Sequence, residues 1–337
     1  LEAQGISLHL GDGLAELHTD KQGRVSSASL NSGQSLSADM VILAIGVRPN
    51  TKLAQDAGLS LGGTGGIAVN HHMQTDDPAI YAVGDAVEYP FGPTGGWQRV
   101  ALGGPANRAG RIAGEHAATG HTAPMGAVQG TAIVRAFEMA AASTGLSEKA
   151  AAKQGIPAQS VTIIAAHHAG YYPGAKPITL KLIFQPEDGK ILGAQAVGEA
   201  GVDKRIDVIS TAMHFGATAY DLAGVDLAYA PPFGAAKDPV HLAAFAATNW
   251  LEGWEQFLPA DADLSDYQVI DVRSEEEVTS KPLPAAVHAK AIPLDDLRTR
   301  LDELDINHPT VTVCGSGARS HVAARLLAQN GFATVFN

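Results

Sequence analysis

This chain of 337 residues has a single cysteine, Cys314. It cannot close an internal disulfide, and a lone free thiol fits a reducing compartment, the cytoplasm. Positive charge is also scarce, the formal net charge being −12. With nothing to offset phosphate repulsion over most of the surface, neither nucleic acid nor an anionic membrane is expected as a general partner. No apolar run reaches the roughly 18 residues that a membrane-spanning helix needs. Leu1 to Gly5 bring neither a methionine nor a signal-type charge pattern, so the sequence reads as the interior of a longer protein, open at both ends.

What is present is apolar and rich in turns. Hydrophobic residues make up 45% of the chain and glycine fills 37 positions, as in α/β proteins, and the length predicts two or three domains. From Gly5 to Ile45, short apolar runs (Ile6 to Leu10, Leu14 to Thr19, Val25 to Leu30) alternate with turn signals such as Asn31-Ser32-Gly33, the pattern of a β-meander. The apolar run from Asp39 to Gly46 predicts a fully buried parallel strand stopped at Pro49, and Thr51 to Ala57 has helical spacing. Gly63-x-Gly65-x-x-Ala68 has the spacing of a dinucleotide fingerprint. Strand-like Ile67 to Asn70 follows it, so no helix N-terminus would face a pyrophosphate, and a surface hairpin is expected.

Ile80 to Val83 predicts a short buried strand that delivers Gly84 and Asp85 to its carboxyl end, where open α/β sheets place ligands. Glycine there permits close backbone approach, and the carboxylate can accept hydrogen bonds from a sugar-like hydroxyl chain. Gly103 to Ile112 predicts a helix with Pro105 near its first turn, whose positive N-terminus suits an electron-rich ring. From Val240 to Leu258 the apolar spacing predicts a packing helix carrying Trp250 and Trp254, followed by a linker, Pro259 to Ala262. His71-His72 and His167-His168 lack carboxylate or thiolate partners at ligand spacing, so no metal site is expected.

Cys314 opens the run Cys314-Gly315-Ser316-Gly317-Ala318-Arg319-Ser320 between β-like Thr310 to Val313 and helix-like Ser320 to Asn330. A glycine turn ahead of a helix N-terminus gathers backbone N–H groups into a positive concavity, which lowers a thiol pKa and holds an anionic adduct. Arg319 adds a fixed positive charge. The plainer alternative is a buried cysteine beside a glycine turn. Upstream, Val269 to Ser274 followed by Glu275-Glu276-Glu277 reads as a buried strand running into an acidic helix start.

Asp271-Val272-Arg273 and Cys314-x-x-Gly317-x-Arg319 together resemble a rhodanese domain, over Ala262 to Asn337. The resemblance implies a persulfide on Cys314 cradled by Gly315, Ser316, Gly317, Ala318, Arg319 and Ser320. Ser280 to Ala285 departs from the family's Gly-His-Ile-Pro-Gly-Ala turn, whereas Ile292-Pro293-Leu294 fits. The sequence stops at Phe336-Asn337, on an expected strand and before the last helix of such a domain.

Leu43 to Asn50 and Tyr81 to Ala86 resemble the flavoprotein pyridine nucleotide-disulfide oxidoreductase superfamily. In that superfamily the first segment returns the chain from the NAD(P)H domain to the FAD domain, and the second binds the FAD ribityl chain through its Asp, here Asp85. Gly130 to Phe137 with Ala142 to Glu148, His167 to Ala175, and Tyr229 to Val240 resemble the dimerisation domain of the coenzyme A-disulfide reductase and NADH oxidase branch, where fusion to a rhodanese domain occurs. The implied fold class is α/β: the end of a two-dinucleotide-binding-domain flavoprotein, an α+β dimerisation domain and an incomplete rhodanese-like α/β domain. Residues 1–45 would close the NAD(P)H-binding domain, 46–122 return to the FAD-binding domain, 123–258 form the dimerisation domain, and 262–337 the rhodanese-like domain.

The same resemblance implies FAD and NAD(P)H as cofactors, with Gly84, Asp85, Ala101, Leu102 and Asn107 at the flavin nucleotide. It implies a homodimer in which Tyr229 and one of Tyr171 and Tyr172 reach the partner's active site, although these tyrosines would serve equally to pack a subunit interface. Substrates would be small thiols or persulfides, with coenzyme A as a substrate moiety. The expected activity is reduction of coenzyme A disulfide, persulfide or polysulfide with a sulfur-carrying rhodanese domain. The alternative is an NADH oxidase or peroxidase whose rhodanese module only carries and docks sulfur. Both nucleotide fingerprints and the flavin-proximal cysteine are expected upstream of Leu1, so this segment alone is not expected to turn over as a reductase.

Overall fold

Short apolar runs punctuated by Gly and Asn shape the first 50 residues. In the computed structural model, which describes residues 1–259 and 261–337, they form a unit of their own, Leu1–Asn50; the second unit is Thr51–Asn337. Ala260, in the expected linker, lies outside the described residues.

In the first unit β1 (Leu14–Thr19), β2 (Val25–Leu30) and β3 (Ser35–Ser37) pair antiparallel in that order, as the meander pattern requires. Ile6 to Leu10 forms no strand. The run from Asp39 to Gly46 corrects the expectation of a buried parallel strand: it is irregular, with Ile42 82% and Ile45 89% exposed. Such a strand needs a parallel neighbour to take up its backbone N–H and C=O groups, and none pairs with it among the described residues.

The second unit opens with α1 (Lys52–Asp56) and a Gly62–Gly66 turn. The turn is closed by the Gly62 N–H donating to the Gly66 carbonyl at 2.8 Å and by pairing of Leu61 with Ile67, a hairpin rather than a fingerprint. Ile80 to Val83 is not the buried strand expected: only Tyr81 pairs, with Gln74, and Val83 is exposed, again with no sheet neighbour among the described residues. A hairpin of β4 (Glu88–Phe91) and β5 (Gly96–Arg99) precedes α2 (Gly103–Thr119), which Gly120 ends in the left-handed region. Met73, Val87, Tyr89 and Phe91 pack with Ala109 and Ala113 of α2 and with Leu146 and Ala151, so this core crosses the expected boundary at 122/123.

Next come β6 (Ala132–Ala136), β7 (Met139–Gly145), α3 (Glu148–Lys153), β8 (Gln159–Ala166), β9 (Pro177–Phe184) and β10 (Ile191–Gly198). The five strands form one antiparallel sheet in the order β6-β7-β10-β9-β8. Its covered face meets α4 (Val202–His214) and α6 (Pro239–Leu251), with α5 (Ala219–Ala223) packed on α6, over a core of Ile178, Leu180, Leu182, Phe184, Ile206, Ile209, Val240 and Ala244. Asp238 caps α6 and Pro239 starts it. Trp250 packs on Phe184, but the helix ends at Leu251 before Gly253 in the left-handed region, so Trp254 lies beyond it and is largely exposed, against expectation.

The last layer holds β11 (Gln268–Asp271), α7 (Glu275–Ser280), β12 (Ala289–Ala291), α8 (Leu294–Leu297), β13 (Thr310–Val313), α9 (Ala318–Gln329) and β14 (Val335–Phe336). Its strands are all parallel, in the order β12-β11-β13-β14. Short apolar strands alternating with helices dictate this arrangement. Helix α9 starts two residues before the expected Ser320, because Gly317 takes φ +89° and turns the chain at once. No helix among the described residues is long and apolar enough to cross a membrane.

Candidate functional site

Parallel strand β13 delivers Cys314 to its carboxyl end, and Gly317 folds the chain back over the sulfur. The Gly317 N–H donates to Cys314 Sγ at 3.2 Å, and Ser320 Oγ, in the first turn of α9, lies 3.4 Å from the same sulfur. Partial burial pushes the thiol up. Hydrogen bonds from the Ser320 hydroxyl and from the backbone around Ser316, Ser320 and Gly317 outweigh it, so the thiol titrates below its usual value. Space over Gly315 and Gly317 is open, leaving room for an adduct on the sulfur.

Arg319 brings the positive charge expected of it, but shares it with a carboxylate. Its guanidinium makes a two-pronged pair with Glu277 of α7, at 2.6 and 2.7 Å, so its charge is largely spoken for. The Arg319 pair and hydrogen bonds from Ser274 hold Glu277 down at about 2. The attraction between Arg319 and the Cys314 thiolate contributes to keeping the guanidinium protonated, but it is not among the leading influences on the thiol. Behind the loop, Asp271 and Arg273 form a buried pair at 2.6 Å, and Arg273 also donates to the Lys281 carbonyl at 2.8 Å. That bond ties down the start of the segment whose sequence departs from the usual turn.

A second group sits on the sheet domain. Tyr171 and Tyr229, 58 positions apart, bring their hydroxyls to 3.3 Å. Both rings are exposed, whereas Tyr172 turns its ring edge-on to His168 and does not join the pair. The Tyr229 hydroxyl raises the Tyr171 phenol above its ordinary value. Beneath them Arg205 of α4, 1% exposed, donates to Asp238 and to the carbonyls of His167 and Gly201, so one guanidinium joins the two tyrosine-bearing loops.

The third group is Gly84, Asp85, Ala101, Leu102 and Asn107. Gly84 takes φ +92°, and the Tyr89 hydroxyl clamps it by accepting from its N–H at 3.0 Å and donating to its carbonyl at 2.9 Å. Asp85 is exposed. Ala101 and Leu102 lead into α2, whose N-terminus no side chain caps, and Asn107 is turned back onto the Gly103 carbonyl at 3.1 Å. A Cβ added at Gly84, Gly103 or Gly104 would meet nothing, so the space over all three is open.

Sequence reasoning missed Tyr89, Arg205, Glu255, Glu277 and Asn337. Arg205 had a signal, since it falls on the apolar stripe Val202, Ile206, Ile209, Met213, and a charge there must find a partner. Glu277 was visible as a capping box with Ser274, but not as the partner of Arg319. Tyr89, Glu255 and Asn337 carry no local pattern.

The sheet domain that pairs two tyrosine hydroxyls and the domain that carries the cysteine loop lie in one unit of the chain. The chain belongs to the pyridine nucleotide-disulphide oxidoreductase family: that family matches residues 1–110, its dimerisation domain residues 131–239, and a rhodanese-like domain residues 258–337. The chain is 37% identical over 224 residues to an NAD(P)H sulfur oxidoreductase (CoA-dependent) of Pyrococcus abyssi, covering 66% of this chain and 50% of that protein. The structure of reduced Bacillus anthracis CoADR-RHD superposes with a TM-score of 0.88 at 40% identity, over 97% of this chain and 58% of that one. An NAD-dependent persulfide reductase from A. fulgidus gives a TM-score of 0.92 at 38% identity, over 99% and 60%. The chain thus spans about half the length of the curated relatives it matches.

Proposed function

We propose that the full-length protein is an FAD-dependent, NAD(P)H-using reductase of coenzyme A disulfide, persulfide or polysulfide, with Cys314 as the sulfur carrier of its rhodanese-like domain. The observation that carries this reading is the Cys314 loop: a thiol held below its usual value by the Gly317 N–H and the Ser320 hydroxyl, under open space, at the head of a helix. Similarity to a CoA-dependent sulfur oxidoreductase and to a persulfide reductase supports the substrate class. A reducing compartment, the cytoplasm, keeps such a thiol available.

In this reading Cys314 carries one sulfane sulfur as Cys–S–S⁻. A thiolate acceptor, coenzyme A in the favoured case, attacks the outer sulfur, the S–S bond breaks, and its electron pair stays on Cys314 as a thiolate. The acceptor leaves as R–S–S⁻, and charge is unchanged. Loop N–H groups meet the negative charge before and after transfer.

The third group of residues fits FAD, because Gly84, with Gly103 and Gly104 at the head of α2, leaves an open cradle beside an uncapped helix N-terminus and an exposed carboxylate. Asp85 would take the ribityl hydroxyls, and Gly84, Ala101 and Leu102 the approach of the flavin nucleotide, with Asn107 on the same helix end. When bound, the flavin supplies two-electron transfer between the nicotinamide and the disulfide. Tyr171 and Tyr229 would donate hydrogen bonds toward the reacting sulfur of a partner subunit in a homodimer, and Tyr172 would pack beside them.

The test is sulfur transfer from thiosulfate or a persulfide to a thiol by the full-length, FAD-loaded protein. Cys314→Ser is expected to abolish transfer and leave flavin content unchanged; undiminished transfer would remove Cys314 from the mechanism.

A further inference from the structure

The Ser320 hydroxyl has one proton and three acceptors within reach: Cys314 Sγ at 3.4 Å, the Gly317 carbonyl at 3.1 Å, and Asn337 Oδ1 in closer contact still. Which one receives it depends on how the Asn337 amide is turned. The Asn337 NH2 group donates to Glu255 Oε1 at 2.8 Å and to the Gly317 carbonyl at 3.3 Å. Two acceptors on one side fix the amide, so its Oδ1 faces Ser320 and must accept. Glu255 is 5% exposed, and its other oxygen meets His321 Nδ1 at 2.6 Å. It stands just after α6, on the segment where Gln256 pairs with Phe336 along the edge of the parallel sheet. A carboxylate from the segment that follows α6 thus reaches the cysteine loop through two side chains.

We propose that Glu255 and Asn337 are positioning residues that draw the Ser320 proton away from Cys314 Sγ, and so oppose formation of the bare Cys314 thiolate. With Asn337 competing for that proton, Ser320 donates to the sulfur less than it otherwise would, so its lowering of the thiol is moderated but not cancelled. Full stabilisation of the thiolate draws the proton to sulfur, beside the Gly317 N–H, and leaves the Asn337 carbonyl without its donor. A loaded cysteine carries its charge on the outer sulfur, and its Sγ has no need of the Ser320 proton. The network therefore favours the loaded form over the empty thiolate, and it ties sulfur retention to the seating of the rhodanese-like domain on the segment that follows α6. This consequence rests on the sulfur-carrier reading of Cys314; the hydrogen-bond network does not.

The charged groups around it are accounted for. Arg319 is paired with Glu277 and Arg273 with Asp271, while Glu255 is faced by His321, with Arg325 nearby and Lys237 lining the same cleft.

The experiment is the pH dependence of iodoacetamide alkylation in the full-length protein, read at the Cys314 peptide by mass spectrometry. Asn337→Ala is expected to raise the thiolate fraction at a pH below the thiol pKa about three- to tenfold, by releasing one hydrogen bond's worth of competition. Asn337→Leu, close in volume and without polar groups, is expected to do the same and covers the case in which the alanine variant packs poorly. Ser320→Ala is expected to lower the fraction. In the Ser320→Ala background, Asn337→Ala is expected to do nothing. Glu255→Gln, which can present either amide group to Asn337, is expected to act as Asn337→Ala does but less strongly, and only while Asn337 is present. A thiolate fraction that is unchanged or reduced in both Asn337 variants, or raised equally without Ser320, overturns the proposal. Loss of sulfur transfer in Cys314→Ser is independent of these outcomes, so a failed network and a failed carrier reading are told apart.

Discussion

The guanidinium of Arg205 and the carboxylate of Asp238 form an almost fully buried pair, 2.7 Å apart. A second bond runs from Nε at 3.2 Å, and the same Asp238 caps α6 through the Val240 N–H at 3.1 Å. Arg205 also donates to the His167 carbonyl at 2.5 Å, and the Ala169 N–H donates to the Gly234 carbonyl at 2.8 Å. The relative placement of Tyr171 and Tyr229 therefore depends on a charge pair that touches neither.

Removing one partner leaves the other charged and dry. Asp238→Ala is expected to cost about 3–5 kcal/mol, read by denaturant unfolding. A combined Arg205→Met and Asp238→Leu change should recover part of that loss by replacing the pair with apolar volume. A cost below about 1 kcal/mol for Asp238→Ala would mean that the pair is not what holds the two loops.

Much of this could be read from the sequence, for a physical reason. Cys314, Gly317 and Ser320 sit within seven positions, so local spacing carries the loop chemistry; the Leu14 to Leu30 meander and β13 are likewise set by local pattern. The runs 39–46 and 80–83 failed because a buried strand is a property of its neighbours. The partner of Arg319 was not legible because Glu277 is 42 positions away, and nothing local ties Glu255 to Asn337, 82 positions apart. Tyr171 and Tyr229 were singled out through the resemblance, not through any pattern between them, and the 3.3 Å approach of their hydroxyls is visible only in the structure.

Since Glu277 already engages Arg319, Arg319→Ala should shift the Cys314 thiol only slightly. Glu277→Gln instead leaves the guanidinium without its countercharge beside the loop, and the thiol should fall further. Alkylation rate against pH at Cys314 checks both. A larger shift from Arg319→Ala than from Glu277→Gln would restore the free-cation reading.

His321 gains a carboxylate partner on folding, and the Glu255 hydrogen bond holds it above the usual histidine value. A group raised in the folded state contributes its stability fully below the unfolded value, about 6.5, and loses it as pH rises through the folded value. The seating of the rhodanese-like domain should therefore weaken with alkalinity. His321 is more than a third exposed, so screening limits the effect to at most about 1 kcal/mol. Thermal unfolding of wild type and His321→Gln from pH 6 to 9 should show the difference shrinking as pH rises; a constant difference would assign His321 a packing role alone.

Gly145 and Gly193 face each other as partners of β7 and β10. Gly145 takes φ +70°, and a Cβ there would lie 2.2 Å from the Leu192 carbonyl oxygen; one on Gly193 would lie 2.2 Å from the Leu146 carbonyl oxygen. Both obstacles are backbone, which cannot move aside without opening the sheet. Gly145→Ala and Gly193→Ala are each expected to destabilise by about 2–4 kcal/mol, from strain and overpacking together. Melting within a degree or two of wild type would show that the sheet yields more readily than its contacts imply.

The edge strand β6 offers the clearest place to test the proposed homodimer. Ile133 is 56% exposed and Val134 62%, with Phe137 and Met139 also exposed beside them. An apolar edge strand with open backbone groups invites pairing with another chain unless something covers it. Because this edge lies within the segment matching the family's dimerisation domain, a second copy is the natural cover. Val134→Lys places a charge on that edge without touching the covered core, so the fold should persist while association weakens. Sedimentation of the full-length protein should then show a dimer for wild type and a dimer dissociation constant raised at least tenfold, about 1.4 kcal/mol, for Val134→Lys. Sulfur transfer by Cys314, which needs no second subunit in the proposed chemistry, should survive in the same sample, whereas disulfide reduction, which in the proposed reading would draw on Tyr171 and Tyr229 across the interface, should fall. An undiminished dimer in Val134→Lys would place the interface elsewhere on the chain.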